Sequence, residues 1–97
     1  MDLKKLQDEV NRRWGSQDYN LCHTSDTNHA FVHMVKALGK MASAVNDAEH
    51  ENRAPRSDEV AKFLADLVIC ATRFAYGASV DLDAACIERL VEKFPEK

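Results

Sequence analysis

The stretch Phe31–Ala48, FVHMVKALGKMASAVNDA, decides the fold. Phe31, Met34, Leu38, Met41, Val45 and Ala48 alternate steps of three and four residues. That spacing predicts a helix with an apolar stripe suited to packing against antiparallel neighbours. Gly39 stands mid-stretch, where its backbone freedom weakens a helix, and the polar positions include Lys36 and Lys40. Ser25–Thr27 supply capping oxygens for a start, and the pattern runs to about His50.

Three more helices lie outward from this one. Residues 2–14 place Leu3, Leu6, Val10 and Trp14 on one stripe, with Asp2 as N-cap, and Gly15 ends the pattern before the polar connection SQDYNLCHTSDT. On the other side ENRAPRS breaks the pattern at Pro55 and offers Ser57 as the next N-cap. A third helix over 58–76 repeats the stripe with Val60, Leu64, Leu67, Ala71 and Phe74. Ala61, Ala65, Val68 and Ala75 widen it to adjoining faces, so burial is expected on more than one side, by neighbouring helices or a second subunit. Gly77 is the expected left-handed C-cap. Asp81 caps a fourth helix over 82–93, with Leu82, Ala85, Cys86, Leu90 and Phe94 as its apolar positions. There is no β-alternation and no internal repeat. The expected fold class is all-α: a single domain over 1–97, four helices, one long central antiparallel pair.

Composition narrows the function classes. The chain is 45% hydrophobic and 30% charged, which fits a folded domain and not a disordered one. A net charge of -3 gives no basic face for nucleic acid. The longest apolar run, FLADLVICA, is interrupted by Asp66 and too short for a bilayer, and MDLKKLQDEV lacks the apolar core of a signal peptide. Three cysteines show no CxxC spacing; Cys70 and Cys86 fall in apolar helical segments, where the thiol acts as a small hydrophobe. The expectation is a reduced, cytoplasmic protein with no membrane partner.

Candidate chemistry is sparse. His29 and His33, four apart on one helical face, have the spacing of a zinc pair, but Ala30 occupies the glutamate position of HExxH, so the pair is read as a partly exposed face. No nucleophile elbow or phosphate-binding glycine loop occurs, and Ser43 among small residues is read as a packing contact. Trp14 and Tyr19 flank the first connection and are candidates to stack on a base. Asp66 sits between Ala65 and Leu67, and a carboxylate there must be balanced by a cation, a metal, hydrogen-bond donors or exposure at the stripe's edge. Lys40, on the partner helix, is the natural cation.

The chain resembles the MazG-like family of all-α nucleoside triphosphate pyrophosphohydrolases. The third helix of that family reads like E-E-L-A-D before an apolar stretch and a D-L at the last helix; here LAD stands at Leu64–Asp66 and DL at Asp81–Leu82. Its second helix reads like L-x-E-E-x-G-E-L, matched by MVKALGKM in Met34, Gly39 and Met41. The resemblance spans about residues 7–94 and implies a four-helix bundle completed by dimer or tetramer formation.

It also implies a magnesium site, in which carboxylates of an ExxE on the second helix face those of an ExxD on the third and an activated water attacks the α-phosphorus. Carried over by position, the ExxE places hold Ala37 and Lys40, and the ExxD places hold Phe63 and Asp66. Lys36 and Lys62 replace the glutamates that usually precede the ligands. One carboxylate cannot hold the ion, and a lysine 4 Å away competes for it with about 4 kcal/mol at an effective dielectric near 20. The expectation is therefore a catalytically inactive relative, with no metal and no other cofactor. It would serve as an interaction or regulatory module, or as a metal-free nucleotide binder through Lys36, Lys40, Asp66, Trp14 and Tyr19. The alternative is a divergent magnesium-dependent pyrophosphohydrolase that releases pyrophosphate.

Overall fold

In the computed structural model, residues 2–15 and 26–96 are described. They form four helices and no strand: α1 (Leu3–Gly15), α2 (Asp26–His50), α3 (Ser57–Gly77) and α4 (Leu82–Lys93). The all-α expectation holds. Tyr19, Cys22, His23 and the expected capping residue Ser25 lie outside the described residues.

The helix ends follow local chemistry. The Asp2 carboxylate accepts from the Lys5 N–H at 2.8 Å, and the Asp81 carboxylate from the Ala84 N–H at 3.2 Å, so both expected aspartate caps form. Ser57 does not cap α3. It is the first helical residue, Arg56 takes the cap position, and the Glu59 carboxylate reaches back to the Arg56 N–H at 3.0 Å. Gly77 is not left-handed either: it stays helical, and Ser79 two residues on takes φ 59. There the Val80 N–H bonds the Ala75 carbonyl and the Ser79 N–H the Tyr76 carbonyl, a Schellman ending. The end of α2 repeats the device with Asn52 at φ 55 and Arg53 bonding back to Ala48.

The turn that follows α2 is braced by charge. The Arg53 guanidinium donates to the Glu59 carboxylate at 2.6 Å and to Glu51 at 2.5 Å. Arg53, then the Arg56 N–H, hold the Glu59 carboxyl down at about 2.

Helices α2 and α3 form the central pair, running antiparallel: the Phe31 ring near the start of α2 lies 6.0 Å from that of Phe74 near the end of α3. The most deeply buried positions along their seam are small residues. Ala30, Ala37 and Ala48 are buried on α2 and Cys70 on α3. The expected α2 stripe is therefore split: Met34, Met41 and Ala48 turn toward α3, whereas Phe31, Leu38 and Val45 are exposed. The two sets are three or four residues apart, about 40–60° of helix rotation.

Helix α1 packs against the later part of α3 and carries the short α4 with it. Val10 is buried as expected, and so is Gln7, which the apolar pattern does not flag. The Gln7 amide donates to the Val80 carbonyl at 3.2 Å and accepts from the Leu82 N–H at 3.3 Å, tying α1 to the entry of α4. Along α4, Leu82 and Ala85 are half-buried, while Cys86, Leu90 and Phe94 face outward. No single helix among the described residues is long and apolar enough to cross a membrane.

Two expectations follow for stability. Gln7→Ala removes both part-buried hydrogen bonds and lowers stability by about 1 kcal/mol or more in a urea or thermal melt. Gly39→Ala does the reverse. A Cβ at Gly39 meets nothing within 4 Å, so the helix gains about 0.5–1 kcal/mol of propensity at no steric cost. A melt that shows Gly39→Ala less stable than the parent would reject that reading of the α2 surface.

Candidate functional site

One flank of the central pair opens into a cleft of about 510 Å³. Helix α2 lines it with His29, His33, Lys36, Ala37 and Lys40; α3 contributes Asp66, Ile69 and Cys70, and α1 closes one end with Trp14. The spacing explains the gathering. Positions 29, 33, 36 and 40 recur at steps of four, three and four, which keeps them on one side of a helix. In the antiparallel partner, Asp66 and Cys70 are also four apart and face the same side.

The structure brings together Trp14, Lys36, Ala37, Lys40 and Asp66 from the sequence-derived set. Phe63 is half-buried and does not line the cleft, so it does not fill the place beside Asp66. Lys40 and Asp66 share the cleft but form no ion pair within 4 Å. Both side chains are exposed, so Asp66 is balanced by water at the edge of the apolar stripe and not by a buried lysine.

Trp14 is fixed from two directions. Its ring meets the His29 ring edge-on, centroids 6.2 Å apart at 81°, and the Arg73 guanidinium lies 6.0 Å from its centroid. Arg73 is itself buried, lies 5.1 Å from the Tyr76 ring, and reaches Asn11 on α1 at 3.4 Å. It positions the tryptophan wall by clamping α1 onto α3. Arg73 was not singled out by the sequence; a lone arginine inside CATRFAY was the available signal.

The electrostatics of the cleft turn on His33. Its ring lies 4.5 Å from that of His29. Burial, then the neighbouring His29, Lys36 and Lys40, push its pKa below the usual histidine value, with the Asp66 carboxylate opposing. At neutral pH the ring is therefore uncharged. The Cys70 thiol is pushed up, first by burial and then by Asp66, which keeps it protonated and a poor nucleophile.

A magnesium ion does not fit this donor set. Asp66 is the single carboxylate among the lining residues, and two lysines stand beside it. More generally, among the described residues no group of three His, Cys, Asp or Glu side chains is placed to hold a metal ion. What the cleft offers is cationic and hydrogen-bonding capacity on one wall and an aromatic edge at one end.

The sign of the His33 shift sets a pH dependence. Because the folded pKa lies below the ordinary value near 6.5, the unfolded chain binds the proton first. His33 thus contributes no penalty above about pH 6.5, and stability falls as pH drops through its lowered folded value. Thermal melts between pH 7.5 and 5 should show that decline, reduced in His33→Gln. The Glu59 contribution is lost in a separate window, from about 4.5 down to about 2, because its folded pKa is depressed.

No known protein family, curated protein or solved structure matches the chain.

Proposed function

We propose that this protein is a metal-free binding module for a small phosphate-bearing anion of the nucleotide class, on a MazG-like scaffold that no longer hydrolyses its ligand. The observation that carries this reading is the composition of the cleft: Lys36 and Lys40 beside His29 and His33, one carboxylate, and Trp14 as a wall. Their positive charges would replace the counter-ion that a magnesium enzyme recruits. The ammonium groups are available for this, since among the described residues neither lysine is held in an ion pair.

The cleft volume is in the range of small-molecule sites, and its polar groups come from rigid helices and not from loops. Trp14 sits at the end of the lysine row, where a base attached to phosphates bound by Lys36 and Lys40 would reach it. Hydrolysis has no support in the same residues. Asp66 alone does not recruit a divalent ion to activate a water, and the Cys70 thiol is held protonated.

Calorimetric titration with a panel of ribo- and deoxynucleoside triphosphates tests this, run once in EDTA and once with magnesium. Binding should persist in EDTA. The double change Lys36→Gln, Lys40→Gln should weaken it at least about tenfold, one decade per 1.4 kcal/mol lost, with the fold retained. Trp14→Leu should weaken nucleoside triphosphates and leave inorganic triphosphate unchanged. Affinity should also rise as pH falls through the His33 titration, with uptake of a proton on binding. Binding seen with magnesium alone, or pyrophosphate released above a buffer blank, sinks the proposal.

A further inference from the structure

Besides the lysine row, the cleft holds a pair of imidazoles. His29 and His33 are four residues apart on α2, so their side chains leave the same face one turn from each other. Both are half-buried and both line the cleft. The sequence alone gives that spacing without the HExxH motif. The structure adds the geometry of the rings, whose centroids are 4.5 Å apart with the planes tilted by 58°.

That separation has a meaning in coordination chemistry. A ligating nitrogen lies about 2.0–2.1 Å from its metal, and the ring centre lies roughly 1.1 Å further out. Two imidazoles that meet one ion at a right angle then have centroids ~4.5 Å apart, whereas a tetrahedral angle needs ~5.2 Å. The observed spacing is the right-angled one. Octahedral and tetragonal ions place neighbouring ligands in this way, and among them copper(II) and nickel(II) favour imidazole.

The surroundings bear on the same pair. The His29 ring meets the Trp14 ring edge-on at 6.2 Å, so packing sets its orientation before any ligand arrives. His33 is uncharged at neutral pH, so ligation costs it no proton. An imidazole that ligates through one nitrogen keeps the other for a hydrogen bond to the protein. The nearby charges limit the affinity: Lys36 and Lys40 repel a cation, and Asp66 attracts it.

We infer that His29 and His33 form a two-imidazole site for a divalent transition ion that accepts nitrogen ligands at a right angle, copper(II) or nickel(II). Nitrogen ligation separates this site from the magnesium site that the cleft lacks, because magnesium takes oxygen. Among the described residues no third His, Cys, Asp or Glu joins the pair around one ion, so the remaining coordination positions go to water or to an anion in the cleft. With two protein ligands it is an exchanging site and not a structural one. The inference stands on the two rings and does not need the anion reading.

Trp14, the single tryptophan of the chain, stands against His29 and reports on this site. Copper(II), a paramagnetic short-range quencher, is titrated into the untagged full chain with indole fluorescence as the readout. Quenching should saturate at one equivalent and reverse in EDTA. His29→Gln and His33→Gln should each weaken binding at least about tenfold, and His50→Gln should leave it unchanged. The double change Lys36→Gln, Lys40→Gln, which weakens anion binding, should tighten copper, so the two proposals move in opposite directions. Should the histidine variants fail to fold, electron paramagnetic resonance of the parent protein with less than one equivalent of copper gives the independent measurement. Its signal should carry the splitting of two equatorial imidazole nitrogens. Quenching that never saturates, quenching that survives in both histidine variants, or a copper signal with one nitrogen or none overturns the inference. Anion titration in EDTA is read without the ion, so either proposal can fail alone.

Discussion

The close seam between α2 and α3 is the constraint on which the rest of this structure depends. Alanine at positions 30, 37 and 48 leaves little side-chain volume between the two helices. Small residues let two helices meet, but they bury little apolar surface, at roughly 25 cal/mol per Å². Met34 and Met41 share that seam, while Phe31, Leu38 and Val45 lie to one side of it and the polar residues to the other. Both surfaces of the pair, cleft and apolar flank, are consequences of where the alanines fall.

On the cleft side the same seam sets the electrostatics. Ala37 is buried at 5% exposure and too short to fill the flank, so the space beside it stays open between Lys36, Lys40 and Asp66. His33 sits one turn before them, close enough to feel His29, the two lysines and one carboxylate. Its pKa is depressed first by burial and then by His29 and the lysines. A glutamate at 37 or 40, as the MazG-like pattern has it, would remove the second contribution and leave the first. Arg73 supplies rigidity from behind, holding Trp14 by its indole face while Gln7 fixes the opposite end of α1.

The sequence made much of this legible. Apolar periodicity located all four helices within a residue or two, because aspartate caps and the break around Pro55 mark their ends in local chemistry. The cleft was legible in outline, through the positions of Lys36, Ala37, Lys40 and Asp66. What it could not show was which of two seams faces α3. Phe31, Leu38 and Val45 are more hydrophobic than Ala30, Ala37 and Ala44, so a stripe drawn by hydrophobicity follows the wrong edge of the helix. Phe63 is paired with Asp66 only through the ExxD spacing of the resemblance: three residues along a helix is the same general side, but not the same wall. The turn after α3 escaped because Ser79 adopts the conformation that the nearby Gly77 was better suited to take. Gln7 and Arg73 act through tertiary partners more than 60 positions away, which no local pattern contains.

The basic flank of α2 carries its own cost, and that cost bears on its meaning. Lys36 and Lys40 are four apart, a like-charge pair that weakens a helix by about 0.2–0.5 kcal/mol, and His29 and His33 repeat the spacing one turn earlier. Asp47, on the same flank, is too far along to relieve Lys36, and Asp66 across the seam forms no ion pair with Lys40. A chain shaped for stability alone would alternate glutamate with lysine here, at no expense to the fold. Local choices that oppose the helix they sit on concentrate at functional sites. The groups that create the conflict are also those best able to meet a phosphate, and an anion bound between them would remove that repulsion.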